Sequence, residues 1–360
     1  MLVVTHAPLT PDHGAAQVAL NLGKALRGLG QEVTVWSPHP LSAKRGWSAG
    51  LRAMREKLEG FVAAEPRFDI IDAPASLITA RIGRQPLIVV RSVQPDLRYL
   101  FDELVDGLPL TTIGLLHSLN RAVQNLYQGV LVLQGWKRAG AIVCQGELEY
   151  RWMMRFLPMW KAKMRSYVTA LSDEDQANLK VVRSERIANS SEKEIRFLWI
   201  GRWARHKGNL ELLKFARQWF SERPQDRLTI AGCGPITLSS GDRELMASGR
   251  IRVVPSYARE SLPALLKEHD VGLFTSKVEG WGLALNEMLE SGMTVFATPA
   301  GGVQDLKPYF ATRLRTFPPL IAEVQDTRIG NPDWERYYGD FNWHEIARKY
   351  LTSVLSAKRF

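Results

Sequence analysis

Cysteine is nearly absent. Cys144 and Cys233 are the only two in 360 residues, both in apolar, strand-like contexts. That argues against a disulfide framework and makes a reducing cytoplasm the expected compartment. No apolar run approaches 18 residues, which argues against a spanning helix. The opening Met1-Leu-Val-Val-Thr5 reads as a strand and not as a charged-then-apolar leader. Short-period repeats and low-complexity tracts are missing as well. No Gly-x-Gly-x-x-Gly lies between the first strand and the first helix, so a dinucleotide-dependent dehydrogenase is a poor fit. No recognition module for nucleic acid accompanies the basic residues.

What remains is an ordinary globular composition, 45% hydrophobic and 23% charged, long enough for two domains with separate cores. The net charge of +10 is uneven: residues 1–170 carry 20 Lys/Arg against 13 Asp/Glu, and residues 171–360 carry 27 against 24. A basic first half suits an anionic partner without choosing among membrane, acidic glycan and nucleic acid.

Apolar strands alternate with helical periodicity throughout. Leu2–Thr5 is followed by a Pro/Gly loop, then by Val18, Leu22, Ala25, Leu26 and Leu29 at helical spacing, with Gly30 as the stop. Glu32–Trp36, Phe68–Ile71, Leu87–Val90 and Ala141–Cys144 read as further strands. After a polar stretch at Ser184–Glu194 the pattern restarts with Ile195–Ile200, Leu228–Ala231, Ile251–Val254, Val271–Phe274 and Thr294–Ala297. This alternation predicts an α/β chain of two Rossmann-like, doubly wound parallel-sheet domains, 1–185 and 186–338, facing a cleft. Two segments depart from the pattern. Lys44–Phe61 and Arg151–Tyr167 interleave basic residues with Trp, Phe and Met. They fit either a helix on an anionic membrane surface or an interdomain helix with core aromatics and solvated charges.

Four loops fall where such sheets bind ligands, at the carboxyl ends of strands. The first, Pro11–Ala16, places the backbone N–H groups of Gly14 and Ala15 at a helix start. The second, Gly201–Gly208, carries Arg202 and Lys207, a fork and a compact charge suited to a diphosphate. The third spaces Glu279 and Glu287 eight residues apart around Gly280, Trp281, Gly282 and Leu283, and the fourth is Thr298–Gly302. Acidic groups beside N–H donors at a helix start suit a hydroxyl-rich, phosphate-bearing ligand. A capped helix with solvated glutamates, or a loop with surface cations, has the same spacing.

The order Gly201-Arg202…Lys207-Gly208, Gly232-Cys-Gly-Pro235, Glu279-Gly-Trp-Gly…Glu287 and Gly301-Gly302 resembles the second domain of the family-four retaining glycosyltransferases of the GT-B fold. The tail from Phe341 is similar to that family's last helix, which crosses back to the first domain, so 339–360 forms a third segment. The resemblance implies transfer of a hexose-type sugar from a UDP- or GDP-sugar with retention, without metal or other cofactor. The acceptor would be a hydroxyl of a glycan, a lipid-linked saccharide or a small metabolite. It implies that Arg202 and Lys207 neutralise the leaving diphosphate and that Glu287 receives the ribose hydroxyls. Glu279 and the backbone of Gly280 to Leu283 would hold sugar hydroxyls and phosphate oxygens, with Ser256 and Tyr257 beside the base. The expected location is the cytoplasm, at the inner face of a membrane if the basic segments bind one. The chain departs from the family at Val93, where relatives place a histidine facing sugar and acceptor, and at Val168–Ser172, which lacks an Asn-Gly. Those departures motivate a second reading, a catalytically silent nucleotide-sugar-binding partner or sensor.

Overall fold

The computed structural model describes residues 1–357 apart from 11, 42–46, 66, 83–85, 93–94, 106–111, 187–193, 237 and 326–329. Val93, Lys44 and Arg45, and most of the polar stretch before Ile195, lie outside the described residues. The chain forms two compact units, Met1–Thr169 with Phe341–Phe360, and Ala170–Asp340.

The first unit is built on six parallel strands: β1 (Leu2–Val4), β2 (Thr34–Trp36), β3 (Ile70–Ala73), β4 (Leu87–Arg91), β5 (Ala141–Gln145) and β6 (Met164–Tyr167), in the order β2-β1-β3-β4-β5-β6. The second has β7 (Arg196–Ile200), β8 (Arg227–Ala231), β9 (Ile251–Val254), β10 (Val271–Phe274), β11 (Thr294–Ala297) and β12 (Leu314–Thr316), in the order β12-β11-β10-β7-β8-β9. Central strands such as β7 and β10 are apolar on both faces because helices cover both sides of a parallel sheet. In each sheet the winding reverses direction beside the first strand, between β1 and β3 and between β7 and β10. Such reversals leave adjacent loops diverging above the strand ends, the usual ligand position in open α/β sheets.

Helical spacing explains the covering layer. In the helix Asn209–Glu222, Leu212, Leu213, Phe215, Ala216, Trp219 and Phe220 are buried, one apolar face repeating every third or fourth residue. They pack with Phe197, Trp199 and Leu228 into the core of the second unit. The helix Asp173–Ser184 also belongs to this unit, although the sequence boundary at 185 places it in the first. Ser172 caps it by accepting from the Asp175 N–H at 3.1 Å, and three acidic residues occupy its first turn. Arg183 on it donates to the carbonyl of Glu290.

The basic-aromatic segments do not form free surface helices. Helix Trp47–Ala64 buries Leu58 and packs Leu51, Met54, Phe61 and Val62 against the first core. Residues 151–167 are divided: a helix ends at Phe156, Pro158 opens a 3-10 turn running to Lys163, and β6 follows. Proline at 158 ends the helical run because its ring denies the previous turn a hydrogen bond.

The helix Trp343–Ser356 returns to the first unit. Arg91 donates from Nε to Asp72 at 3.0 Å, with the two side chains 4% and 0% exposed, and Tyr350 donates its hydroxyl to the same carboxylate. Tyr350 also meets Tyr167 edge to face, centroids 5.7 Å apart. Burial opposes the guanidinium charge, yet Asp72 beside it raises the Arg91 pKa above its ordinary value. Asp72→Ala should therefore cost about 3–5 kcal/mol by leaving a buried cation unpaired. Tyr350→Phe should cost about 1.5–3 kcal/mol, the worth of a hydrogen bond to a charged group. Urea midpoints read from Trp fluorescence, falling more for the first variant than the second, check the order.

Candidate active site

The loop after β7 lies directly on the end of β10. Gly208 takes a left-handed φ of 71°, and a Cβ there would stand 1.9 Å from the Thr275 carbonyl oxygen, so only glycine fits. Thr275 donates its hydroxyl to the Lys207 carbonyl at 2.8 Å and accepts from the Trp199 indole at 2.9 Å. The Lys277 N–H donates to the His206 carbonyl at 2.8 Å. These bonds bind the two loops at the winding reversal into one piece.

That piece aims Lys207 at Glu279. Their side chains form an ion pair and are only 17% and 10% exposed. Ser276 donates to the same Glu279 oxygen at 3.1 Å. Above the carboxylate stem, Cβ atoms at Gly282 and Gly301 would lie 3.2 and 3.1 Å from Glu279 Cγ. The loop after β11 joins through Gly302 N–H to Trp281 carbonyl at 2.9 Å and Thr298 hydroxyl to Ser276 carbonyl at 2.6 Å. Three loops far apart in sequence thus meet around one ion pair. The helix Leu283–Glu290 starts here, with Gly282 at its N-cap, and the Leu283 and Ala284 N–H groups have no backbone partner among the described residues.

Arg202, in the same loop as Lys207, is exposed and makes no ion pair among the described residues. Its charge is felt at His206, whose imidazole is buried and pushed down to about 4, first by burial and then by Lys207 and Arg202.

Glu287 stands in a second cluster. Its buried carboxylate pairs with Arg259, which also meets Asp175 at 3.0 Å. Burial raises the Glu287 pKa against the opposing pull of Arg259. Tyr257 is half-buried, its ring 3.2 Å from where a Gly232 Cβ would be, and Ser256 is exposed. Gly232 follows β8 and Tyr257 follows β9, so this cluster too lies at the carboxyl edge. Lys207 and Glu279 are brought into contact, whereas the carboxylate of Glu287 has Arg259 as its cation.

Arg259, Asp175 and Tyr337 carry no motif in the sequence that marks them. Asn286 accepts from the Trp281 indole at 2.8 Å and donates to Tyr337 at 2.9 Å, and Tyr337 donates to Glu290 at 2.7 Å. Trp281 is 2% exposed, with its ring under Gly302, so its side chain anchors the loop. Burial raises the Glu290 pKa to about 7 against the hydrogen bonds of Tyr337 and Tyr338. The one signal for these partners is the presence of polar residues on several sides of one short helix.

In the first unit, the helix Gly14–Gly28 begins beside the reversal between β1 and β3. The Gly14 and Ala15 N–H groups have no backbone partner among the described residues, and His13 Nδ1 lies 2.8 Å from Thr10 Oγ1. No group of three or more His, Cys, Asp or Glu suited to a metal occurs among the described residues. No described helix is long and apolar enough to cross a membrane.

Residues 183–312 match the family described as "Glycosyl transferases group 1", a span that includes the loops after β7, β8, β9, β10 and β11. An uncharacterized glycosyltransferase, YqgM of Bacillus subtilis, is 30% identical over 135 residues, covering 36% of this chain and 37% of that protein. The matched region spans about a third of the length of the curated relatives, 37% and 31%. Among solved structures, WaaG, a glycosyltransferase involved in lipopolysaccharide biosynthesis, superposes with a TM-score of 0.63 at 11% identity, covering 100% of this chain and 99% of its own. Anabaena HepE in complex with UDP and glucose gives 0.59 at 14% identity, covering 99% of each chain. Those likenesses show the fold, two parallel six-stranded α/β units of the GT-B type. The resemblance to the family-four glycosyltransferases holds over the loops on which it rests.

The unfolded chain takes up the His206 proton near 6.5 and the folded chain only near 4, so stability is lost as pH falls through that window. His206→Gln should flatten the fall. The difference in thermal midpoint between wild type and variant, followed from pH 7 to pH 4, checks this.

Proposed function

We propose that the protein is a retaining glycosyltransferase that uses a nucleotide-diphosphate sugar, with UDP- and GDP-sugars as the donor class. The observation that carries this reading is the Lys207–Glu279 pair held by three converging loops under the start of helix Leu283–Glu290. A cation, a carboxylate and N–H dipoles fixed in one small space match a ligand that is anionic at one end and hydroxylated at the other. The bound UDP and glucose of HepE, a protein of the same fold, support that class.

In this reading Lys207 and the exposed Arg202 meet the diphosphate. Glu279 and the N–H groups from Gly280 to Leu283 meet sugar hydroxyls and phosphate oxygens. Glu287, held in place by Arg259, receives ribose hydroxyls, and Ser256 and Tyr257 flank the base. Gly14 and Ala15 offer N–H groups to acceptor or phosphate.

The bond from the anomeric carbon to the phosphate oxygen breaks, and the acceptor oxygen bonds to that carbon on the same face. The acceptor's proton passes to the departing phosphate oxygen, so no separate base is needed. Charge grows on the diphosphate as the bond stretches, and preorganised cations stabilise that change more than the ground state. The reading assigns no metal, because Lys207 and Arg202 supply the positive charge. Acceptor candidates are a hydroxyl of a glycan, a lipid-linked saccharide or a small metabolite. A lipid-linked acceptor fits peripheral contact with an anionic membrane, supported by exposed Phe156 and Met159 beside Arg155, Lys161 and Lys163.

A thermal-shift screen against nucleotide sugars should single out the donor, since a ligand raises stability with its concentration over Kd. With that donor, Lys207→Ala and Arg202→Ala should each lower kcat by about 10²–10³, by analogy with loss of one oxyanion donor. Glu287→Ala should abolish the donor-induced shift. Product NMR should show the donor's anomeric configuration, with turnover unchanged by EDTA. Normal kcat in both cation variants, together with an intact shift in Glu287→Ala, would reject the site.

A further inference from the structure

The helix Thr112–Arg138 leaves a row of large apolar side chains in solvent. Leu119, Val123, Leu126, Val130 and Leu133 are 62%, 58%, 69%, 44% and 41% exposed. Their spacing alternates four and three residues, a repeat of 3.5. The opposite side is fixed to the body of the unit: Leu131, Val132 and Trp136 are buried, and a Cβ at Gly135 would stand 2.1 Å from the Ala75 carbonyl oxygen. So close a backbone contact stops the helix from turning to hide the row.

Set out as a heptad, Val123 and Val130 take position a, and Leu119, Leu126 and Leu133 take position d. The e and g positions are Asn120, Tyr127 and Gln134, and Ala122, Gly129 and Trp136, none of them charged. Between 119 and 136 the only charged residue is Arg121, at f, the position farthest from the seam.

We propose that this row is the seam of an antiparallel helix pair between two copies of this chain. An a/d stripe with Asn120, the exposed Tyr127 and Gln134 along one edge, and no charge on either edge, suits another helix, whereas a helix lying on lipid has a broad apolar face edged by Lys and Arg. Uncharged flanks carry neither repulsion against a second copy nor a charge code for a different partner.

Direction follows from the basic end. Lys137 continues the row at the next a position, with Arg138 beside it. A parallel pair stacks these cations on their copies. Antiparallel pairing is equally regular, because the series 119, 123, 126, 130, 133, 137 reads the same from either end. It sets Leu126 on Val130 and Val123 on Leu133 of the second copy, and lays the stem of Lys137 over Leu119. It also keeps the two Lys137 residues about 27 Å apart, eighteen residues at 1.5 Å each. The seam is short, but the helix is already held by its unit, so pairing spends nothing on forming it.

Sedimentation equilibrium of the full chain should show a concentration-dependent dimer. Leu126→Lys should abolish the dimer, and adding Val130→Glu to it should restore it, because antiparallel pairing sets the new lysine against the new glutamate. Circular dichroism, and melting at concentrations where wild type is monomeric, should match wild type in both, since the positions are exposed. Mixing Val123→Cys with Leu133→Cys under mild oxidation should give mixed disulfide dimers. Monomer at every concentration, or a dimer indifferent to Leu126→Lys, overturns the proposal. Disulfides within the Val123→Cys sample alone overturn the antiparallel order. A protein that stays monomeric but binds phosphatidylserine vesicles, and loses them with Leu126→Lys, assigns the row to lipid instead.

Discussion

The carboxyl edge of the second sheet depends on how closely the backbone at Gly208 lies against the backbone at Thr275. That approach joins the loops of two strands that wind in opposite directions from the middle of the sheet. Once they are joined, Lys207 meets Glu279, and the loop after β11 closes over the carboxylate through Gly301 and Gly302. An ion pair this sheltered needs its geometry imposed, because two long side chains in solvent gain little from meeting. The glycines impose it by letting main chains pack where side chains would intrude.

A second support lies beneath. Trp281, Asn286, Tyr337 and Glu290 form one hydrogen-bonded run under the helix that carries Glu287. Arg259 and Asp175 fix the Glu287 side of that helix. The short helix is therefore held on two sides by buried polar contacts, which specify its rotation more sharply than apolar packing would. Each carboxylate is thereby held in a defined direction.

Much of this is legible in the sequence. Ten strands can be found from apolar runs, and the loops carrying Gly208, Glu279 and Gly301 from their order. The two strands that escape, β6 and β12, are Met-Arg-Ser-Tyr and Leu-Arg-Thr, two of the four sheet-edge strands, each broken by an arginine and therefore without a continuous apolar run. Arg259, Asp175 and Tyr337 escape for another reason. Arg259 lies 28 residues from Glu287 and Tyr337 lies 51 from Asn286, and no local pattern encodes such pairings. Residues 151–167 read as one amphipathic helix because basic and aromatic residues alternate there, yet Pro158 divides them. The boundary between the units reads late in the sequence because the helix Asp173–Ser184 precedes the polar stretch but packs with the residues beyond it.

The first unit is discontinuous, and this bears on its synthesis. Its sheet emerges from the ribosome early, but Tyr350, 278 residues beyond Asp72, emerges only after the whole second unit. The unit from Ala170 to Asp340 is one uninterrupted stretch and has all its residues available before then. The order of completion is therefore the reverse of the order of translation. Until the helix Trp343–Ser356 arrives, the Asp72–Arg91 pair lacks its tyrosine, and the nascent first half must stay free of aggregation while the second half is being made.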